Sequence, residues 1–404
     1  MSANEGSLSD TDLSALTNFK EYLRIPSVHP DVNYDGCEAF LRNRAEILGL
    51  PIRVFTVAPK KPVILISWLG SEPQLPSLLL NSHMDVVPVF PENWTYPPFG
   101  AETDSKGNIY ARGSQDMKCV GIQYLEAVER LMKNNQKLKR TIHILFVPDE
   151  EIGGLEGMKL FIESEDFKNL NVGCALDEGI ASPDESYQFF YGERPIWHVW
   201  IHCTGTPGHG SLLHDDTAGE KLAVVIDKFL ARRAVEKKKL KDNPELTIGD
   251  VTTINLTSLK GGVQTNVVPP ELTVAFDCRL SVETDHQEFE NWINEVCSLA
   301  GPGVFVEFHR KMPPNEITTI DNNNPWWGFF KSACDNIGLK LKCNIFPGGT
   351  DSRYIRQVGI PAFGFSPMNN TPVLLHDHDE FLNEKVFLQG IKIYCELLPA
   401  LANL

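Results

Sequence analysis

The acidic run Asp149–Glu151 is the feature that most restricts how this chain of 404 residues can fold. It follows a predicted strand, residues 141–147, and precedes the glycine pair 153–154. Adjacent carboxylates repel one another, so a fold that holds them at the end of a buried strand must offset that repulsion. A bound cation does so and keeps the acids ionised. A solvated acidic turn is the plainer alternative, because acidic residues mostly lie at the surface.

Apolar segments that alternate with helical ones predict an α/β fold. Residues 78–80, 141–147 and 172–176 are short and apolar on both faces, which is typical of strands in a parallel sheet. Segments with helical spacing of apolar residues include 118–132 and 384–398. We therefore predict a mixed, mostly parallel sheet flanked by helices on both faces.

The pattern changes in the middle of the chain. Apolar residues occupy every second position from Leu272 to Leu280, which is typical of a strand with only one face on a core. A chain of 404 residues also exceeds one ordinary core. We predict an α/β domain of residues 1–193 and 310–404 with an α+β domain, 194–309, inserted into it. Residues 88–113, rich in proline, glycine and aromatic residues, are predicted to form a long loop.

Composition excludes some partners. The net charge of −16 disfavours nucleic acid and anionic membrane surfaces, which attract basic proteins. No segment approaches the length of a membrane span. Nine cysteines without a Cys-x-x-Cys pair predict reduced thiols, and the polar start of the chain has no signal-peptide pattern. We expect a cytoplasmic protein.

Histidines and acids follow several predicted strands, and open α/β sheets place their sites at such strand ends. Mixed histidine and carboxylate ligation suits zinc, with cobalt or manganese as substitutes. One tetrahedral ion with an open position would not use all of these side chains, so two ions sharing a carboxylate are predicted. The candidates are His83, Asp85, Asp116, the acids 149–151, Asp177, Glu178 and His376.

Four motifs, in order, resemble those of the di-zinc aminoacylase/carboxypeptidase family. Two further segments are similar to the aminoacylases within that family, which hydrolyse N-acyl-L-amino acids. A single motif would be weak, whereas the ordered set, spread over nearly the whole chain, is specific. The four motifs are Ser82–Pro88, Gly113–Lys118, Asp149–Gly154 and Gly348–Asp351, and the two further segments are Ala175–Ile180 and Thr371–Asp379.

The resemblance implies a ligand set for two zinc ions per subunit. His83 and Glu178 hold one ion, Glu151 and His376 hold the other, and Asp116 bridges them. It also implies that the peptide bond after Asp116 is cis.

Two neighbouring residues remain rivals within this set. His378 can face the same way as His376 from an extended chain, and many relatives have aspartate as the ligand where this chain offers Glu178 beside Asp177. We favour His376 and Glu178 on the resemblance alone.

The resemblance further implies how the active site would work. Glu150 is the general base. Asp85 accepts the other ring N–H of His83 and thereby fixes its tautomer. Asp149 is predicted to have a structural or supporting role.

The inserted domain offers its own candidates. His209 lies on the glycine-lined turn 204–211, where a backbone can approach a ligand closely. A simple strand-to-helix connection with an exposed histidine explains this segment equally well. The resemblance implies that the inserted domain is a lid and dimerisation domain whose His209 stabilises the oxyanion in the partner subunit. Asn266 and Arg279 resemble substrate-binding lid residues, and Arg353 is a second candidate for the substrate carboxylate, which an arginine fork matches.

The expected reaction is hydrolysis of N-acyl-L-amino acids, such as N-acetyl-L-methionine, to a carboxylate and a free L-amino acid by metal-activated water. A dipeptidase, a carboxypeptidase or a deacylase specific for one acyl group is the alternative, because such enzymes would share the metal site. A metal-containing binding protein that has lost catalysis would show a broken ligand or base position, and this chain shows none.

Overall fold

The computed structural model describes residues 8–404. These residues form two compact units. The described part of the larger unit is 8–191, Thr318–Cys343 and Thr350–Leu404, and the smaller unit is Gly192–Ile317 and Asn344–Gly349. The domain bounds drawn from the sequence stay a prediction.

Helices and strands alternate along much of the chain. The helices are α1 (Asp10–Leu23), α2 (Asp35–Leu48), α3 (Lys118–Lys133), α4 (Met158–Ile162), α5 (Glu165–Lys168), α6 (Ala218–Asp242), α7 (His286–Ala300), α8 (Pro325–Asn336), α9 (Ser352–Gln357) and α10 (Glu384–Ala402). The strands are β1 (Ile52–Ala58), β2 (Lys61–Trp68), β3 (Ser77–His83), β4 (Glu102–Thr103), β5 (Asn108–Tyr110), β6 (Ile142–Val147), β7 (Val172–Asp177), β8 (Tyr187–Glu193), β9 (Ile196–Thr204), β10 (Gly208–His209), β11 (Thr253–Gly261), β12 (Val267–Val268), β13 (Glu271–Arg279), β14 (Val304–Lys311), β15 (Leu341–Phe346), β16 (Ala362–Gly364) and β17 (Phe381–Asn383).

The main sheet has eight strands in the order β1-β2-β6-β3-β7-β16-β8-β15. Its centre is parallel, since β6, β3, β7 and β16 run in one direction. The flanking pairs β1–β2, β2–β6 and β16–β8 are antiparallel. The predicted mixed α/β sheet is confirmed, with its parallel pairing concentrated at the centre.

Strand β3 shows why helices cover both faces of this sheet. Leu78 and Leu80 join the larger apolar core, to which α1, α3 and α10 contribute. Leu79 points to the opposite face and joins a second core with Met158 of α4 and Ile355 of α9. Successive strand residues face opposite sides, so an unbroken apolar run requires a core on each side.

The predicted long loop over residues 88–113 is wrong in part. Strand β5 pairs with β4 and with β17, forming a three-stranded sheet. Strands of two or three residues contain too few positions to show a period in the sequence. This sheet joins the segment before Asp116 to the segment after His376, and it therefore brings two candidate ligands of distant sequence position near one another.

The smaller unit contains a four-stranded antiparallel sheet in the order β11-β13-β9-β14. Alternate residues of β9 are buried, beginning with Trp197 and Val199. They pack against α6 and α7 through residues such as Phe229 and Phe289. The prediction of an antiparallel α+β unit distinct from the main sheet is confirmed.

All nine cysteines are free thiols, and seven of them are buried. Among residues 8–404, none of the helices combines the length and apolar character that crossing a bilayer requires.

Candidate metal centre

Three neighbouring parallel strands end at the candidate site. His83 is the last residue of β3, Glu178 follows the last residue of β7, and a 3-10 turn, Glu150–Ile152, follows β6. Because β6, β3 and β7 are adjacent and parallel, their carboxyl ends lie at one edge of the sheet. The arrangement of the strands therefore gathers residues that are far apart in sequence.

Two groups of metal-type side chains meet at Asp116. In the first, His83 Nε2 lies 3.0 Å from Asp116 Oδ1 and 3.7 Å from Glu178 Oε2. In the second, His376 Nε2 lies 3.5 Å from Asp116 Oδ2 and 3.1 Å from Glu151 Oε2. Within each group the ligand atoms all lie within 4.8 Å of one another. The two oxygens of Asp116 thus face different groups, as a bridging carboxylate requires.

The structure distinguishes the two rival pairs by position. Asp177 accepts hydrogen bonds from Asn81 (3.0 Å) and Ser352 (2.7 Å) and belongs to neither group. His378 also lies outside both groups, with its ring edge-on to Phe90 at 6.4 Å. The ligand set favoured from the sequence is therefore the one that the fold brings together. The Asp116–Met117 peptide bond is cis, as the resemblance implies.

The histidines and carboxylates of the two groups shift one another's pKa. Burial acts to raise the pKa of Asp116, but hydrogen bonds from His376 and His83 outweigh it and hold that pKa well below its usual range. Hydrogen bonds to Asp116 and Glu151 raise the pKa of His376 to about 10. Burial raises the pKa of Glu151 to about 7, and the charge of Asp116 adds to the shift.

The donor set fits a pair of zinc ions. Each group offers one imidazole nitrogen and carboxylate oxygens, the ligands that zinc takes in catalytic sites. Glu151 Oε1 is buried without a hydrogen-bond partner among residues 8–404. A buried acceptor of that kind needs an explanation, and ligation of a cation supplies one. His83 and Glu178 would hold one ion, Glu151 and His376 the other, with Asp116 between them.

Glu150 lies beside the ligands but outside both groups. It is 9% exposed, and burial raises its pKa well above the usual value, with the charge of Glu178 as the next cause. A carboxylate whose pKa is raised towards neutrality is suited to take up and release a proton.

The carboxylate of Asp85 has a different task from the predicted one. His83 Nδ1 is 2.8 Å from the backbone carbonyl of Asp85, whereas the nearest carboxylate oxygen is 3.7 Å away. That carboxylate accepts the backbone N–H groups of Glu150 (3.2 Å) and Glu151 (3.0 Å) and contacts His29 Nε2 at 2.8 Å. Asp85 therefore fixes the histidine through its backbone and holds the acidic turn through its side chain.

Asp149 is held by groups away from the ligands. Its backbone is left-handed, with φ 64°. Its carboxylate accepts hydrogen bonds from the Tyr34 hydroxyl (2.7 Å) and from Lys61 Nζ (2.8 Å). This ion pair offsets the repulsion that three adjacent acids create.

The glycine pair after the turn allows Asp351 to approach closely. Gly154 has φ +64°, and a Cβ atom there would lie 2.4 Å from Asp351 Oδ1. Both carboxylate oxygens of Asp351 are buried without a hydrogen-bond partner in the described part of the chain. Burial, with the charge of Asp177, raises the pKa of Asp351 to about 8.

The structure does not place Arg353 where it would bind a substrate carboxylate. Its side chain is 2% exposed and donates hydrogen bonds to the backbone carbonyls of Thr350 (2.6 Å) and Gly153 (2.8 Å). Arg353 braces the turn that carries the acids. Main-chain carbonyl oxygens accept the hydrogen bonds of its guanidinium group. No pattern in the sequence indicates that Arg353 is buried.

The remaining candidates lie in the smaller unit. His209 is exposed, and Ser211 Oγ lies 2.8 Å from its Nδ1. Asn266 is close to it, because the carbonyl of Asn266 accepts the backbone N–H of Gly210 at 2.8 Å. Arg279 is part-buried and forms a two-point ion pair with Asp277, at 2.7 and 3.0 Å.

Sequence reasoning missed several residues that hold the centre in place. Lys61, Tyr34 and His29 act on the acidic turn, and Gln115 and Glu380 act on the segments that carry Asp116 and His376. Two of them had a sequence signal: Gln115 lies in the motif Gly113–Lys118, and Glu380 is the last acid of the run that begins at His376.

Comparison with known proteins agrees with this geometry. Residues 79–400 match the model of peptidase family M20/M25/M40. Aminoacylase-1 of Pongo abelii is 51% identical, and that of Homo sapiens is 50% identical, each over 96% of this chain and 95% of its own length. A dinuclear metal binding peptidase of the M20 family from Bacillus subtilis has a similar fold, with a TM-score of 0.70 at 18% identity, covering 98% of this chain and 99% of its own.

Proposed function

Because the chain belongs to peptidase family M20/M25/M40, we propose that it is a di-zinc amidohydrolase acting on N-acyl-L-amino acids. The products are a carboxylate and a free L-amino acid. The observation that carries the metal chemistry is the sharing of Asp116 between two ligand groups. The proposed substrate class rests on the sequence identity to aminoacylase-1, which is 51% and 50% for the two relatives over nearly the whole chain.

Glu150 is the residue that moves protons in this proposal. Two zinc ions, when bound, would lower the pKa of a water molecule and polarise the amide carbonyl. Glu150 takes a proton from the attacking water and delivers it to the leaving nitrogen. Burial raises the pKa of Glu150 above its usual value, which favours uptake of a proton. Asp85 keeps Glu150 in place through the backbone N–H of that residue.

The smaller unit supplies substrate contacts. We assign His209 to stabilisation of the oxyanion, Asn266 to substrate binding, and Arg279 to the α-carboxylate of the substrate. Binding of substrate by Arg279 would compete with Asp277, its present partner.

The surface beside His209 supports a homodimer through the smaller unit. Leu213 is fully exposed, and Val263, on the segment that leads to Asn266, is 91% exposed. Apolar side chains exposed to this degree beside proposed substrate contacts favour coverage by a partner. The nine free cysteines support a reducing compartment, and we assign the protein to the cytoplasm.

A substrate panel tests the proposed activity. Zinc-loaded protein is assayed against N-acetyl-L-methionine, N-acetyl-L-aspartate and a dipeptide, before and after treatment with a chelator. We expect turnover of N-acetyl-L-methionine that chelation abolishes and added zinc restores. Fast turnover of the dipeptide alone would show that the protein is a peptidase of the same family.

Mixing two inactive variants tests whether His209 acts on the partner subunit. His209→Ala and Glu150→Gln proteins are combined and allowed to exchange subunits, with exchange followed by a mass label. Activity should reappear in the heterodimer, where one site has both residues intact. Complete exchange without activity would mean that each subunit uses its own His209.

A further inference from the structure

Two segments of the larger unit hold one another next to the metal centre. The Asp116 loop, residues 111–117, lies between β5 and α3, and the His376 loop, residues 365–380, lies between β16 and β17. Each loop carries one candidate ligand. Each also carries a buried polar side chain that binds the backbone of the other loop or of the strand beside it.

Glu380, at the end of the His376 loop, organises the Asp116 loop. It is fully buried, and Oε1 accepts the backbone N–H groups of Gln115 (2.6 Å) and Asp116 (3.3 Å). Oε2 accepts from Arg112 Nη1 (2.8 Å) and from the backbone N–H of Gly113 (3.2 Å). The carboxylate thereby fixes the main chain immediately before and at the bridging aspartate.

Gln115 makes the reverse connection. Its side chain is fully buried, and Nε2 donates to the backbone carbonyls of Pro372 (3.0 Å) and Phe381 (2.8 Å). Its Oε1 accepts the backbone N–H of Leu374 at 3.1 Å. These three hydrogen bonds hold the backbone on both sides of His376 in the sequence.

Besides Gln115, neighbouring residues hold the chain around His376: the backbone N–H and hydroxyl of Thr95 donate to Asp379 (both 2.7 Å), and the N–H of Asp377 donates to the carbonyl of Leu374 (3.1 Å). The side chain of His376 is 56% exposed, its backbone is left-handed with φ 62°, and its imidazole contacts Asp116 and Glu151. A ligand with a half-exposed ring depends on its backbone for its position. That backbone is anchored by Gln115, the residue directly before Asp116.

We propose that Gln115 is a positioning residue that fixes the His376 loop relative to Asp116. It thereby raises the zinc affinity of the second metal position, which Asp116, Glu151 and His376 form. The inference rests on the proposed di-zinc function. It assigns to Gln115 a selective effect: loss of its three hydrogen bonds loosens the ion held by His376 and spares the ion held by His83 and Glu178. Groups that orient metal ligands typically change metal affinity by about 10–100-fold.

Zinc affinity measured by competition with a chromophoric chelator tests the proposal on the full-length protein. Gln115→Leu removes the three hydrogen bonds at nearly the same volume. The matched control is Gln123→Leu. Gln123 is also fully buried, and it donates a hydrogen bond to the backbone carbonyl of Phe387 at 3.0 Å. Within residues 8–404, it makes no hydrogen bond to either loop. We expect Gln115→Leu to weaken one of the two zinc affinities by roughly 10–100-fold and to leave the other unchanged. Gln123→Leu should leave both unchanged.

Two results would overturn the proposal. Gln115→Leu protein that retains both zinc affinities shows that the contacts do not position His376. Equal weakening of both ions, or the same loss in Gln123→Leu, shows general destabilisation instead of selective positioning.

Hydrogen exchange of the metal-free protein separates this inference from the proposed function. Backbone amides of residues 373–381 should exchange faster in Gln115→Leu than in the wild type and Gln123→Leu, and unchanged exchange would refute the anchoring. Wild-type protein that binds fewer than two zinc ions would refute the di-zinc proposal, while this exchange result would still decide whether Gln115 anchors the loop.

Discussion

Replacement of Glu150 by glutamine should separate proton transfer from metal binding. The amide keeps the size of the side chain, and the backbone of residue 150 stays bound to Asp85. Neither ligand group contains Glu150, so both zinc ions should remain. Loss of a general base lowers kcat by about 10²–10⁴-fold. At about 1.4 kcal/mol per factor of ten, the barrier rises by roughly 3–6 kcal/mol.

The assay measures kcat with N-acetyl-L-methionine and zinc content on the same preparation. Glu156→Gln is the matched control, because Glu156 is exposed a few residues further along the same segment and should tolerate the change. Glu150 is not the base if Glu150→Gln protein with two bound zinc ions retains more than about a tenth of the wild-type kcat, since a missing base costs far more than that.

Three further substitutions test other parts of the site. Lys61→Met leaves the buried carboxylate of Asp149 with Tyr34 as its remaining side-chain partner. The free energy of unfolding in urea should fall by about 1–3 kcal/mol. This loss is smaller than for a fully buried ion pair because Lys61 is partly exposed. Burial raises the pKa of Asp351 from 3.8 to about 8, so its contribution to the stability of the metal-free protein is lost as pH rises through that interval. Asp351→Asn should therefore flatten the decline in Tm between pH 5 and pH 8. Arg279→Lys loses the two-point geometry and should raise KM by about 10-fold or more with a smaller change in kcat.

Each of these has a control and a contrary result. Lys60→Met changes the exposed neighbour of Lys61 and should leave stability unchanged; equal losses would show that Asp149 does not need the ion pair. An Asp351→Asn protein with the wild-type pH dependence would place the proton elsewhere in the cluster. Arg232→Lys alters an arginine that packs over Phe289, and a similar rise in KM there would remove the special role of Arg279.

The candidate ligand set comes from the resemblance to the family, and two of its members also follow predicted strands. His83 and Glu178 come at the ends of apolar strands, and the fold places parallel strand ends side by side. The sequence left two choices of ligand open. In the structure Asp177 accepts a hydrogen bond from Asn81, while His376 Nε2 lies 3.5 Å from Asp116 Oδ2.

Contacts between distant backbone segments have no such signature. Gln115 and Glu380 are 265 positions apart, and nothing in either segment shows that they meet. The burial of Arg353 depends on the carbonyl of Gly153, 200 positions away. The choice between the carbonyl and the carboxylate of Asp85 as partner of His83 depends on local backbone direction, which residue type does not specify.

Whether two zinc ions sharing Asp116 support amide hydrolysis at one site can be measured in a single titration. Zinc is added stepwise to the metal-free protein, and hydrolysis of N-acetyl-L-methionine is followed after each addition. We expect activity to rise until two equivalents per chain are bound and then to stay constant. Full activity at one equivalent, or none at two, would contradict the shared-aspartate centre.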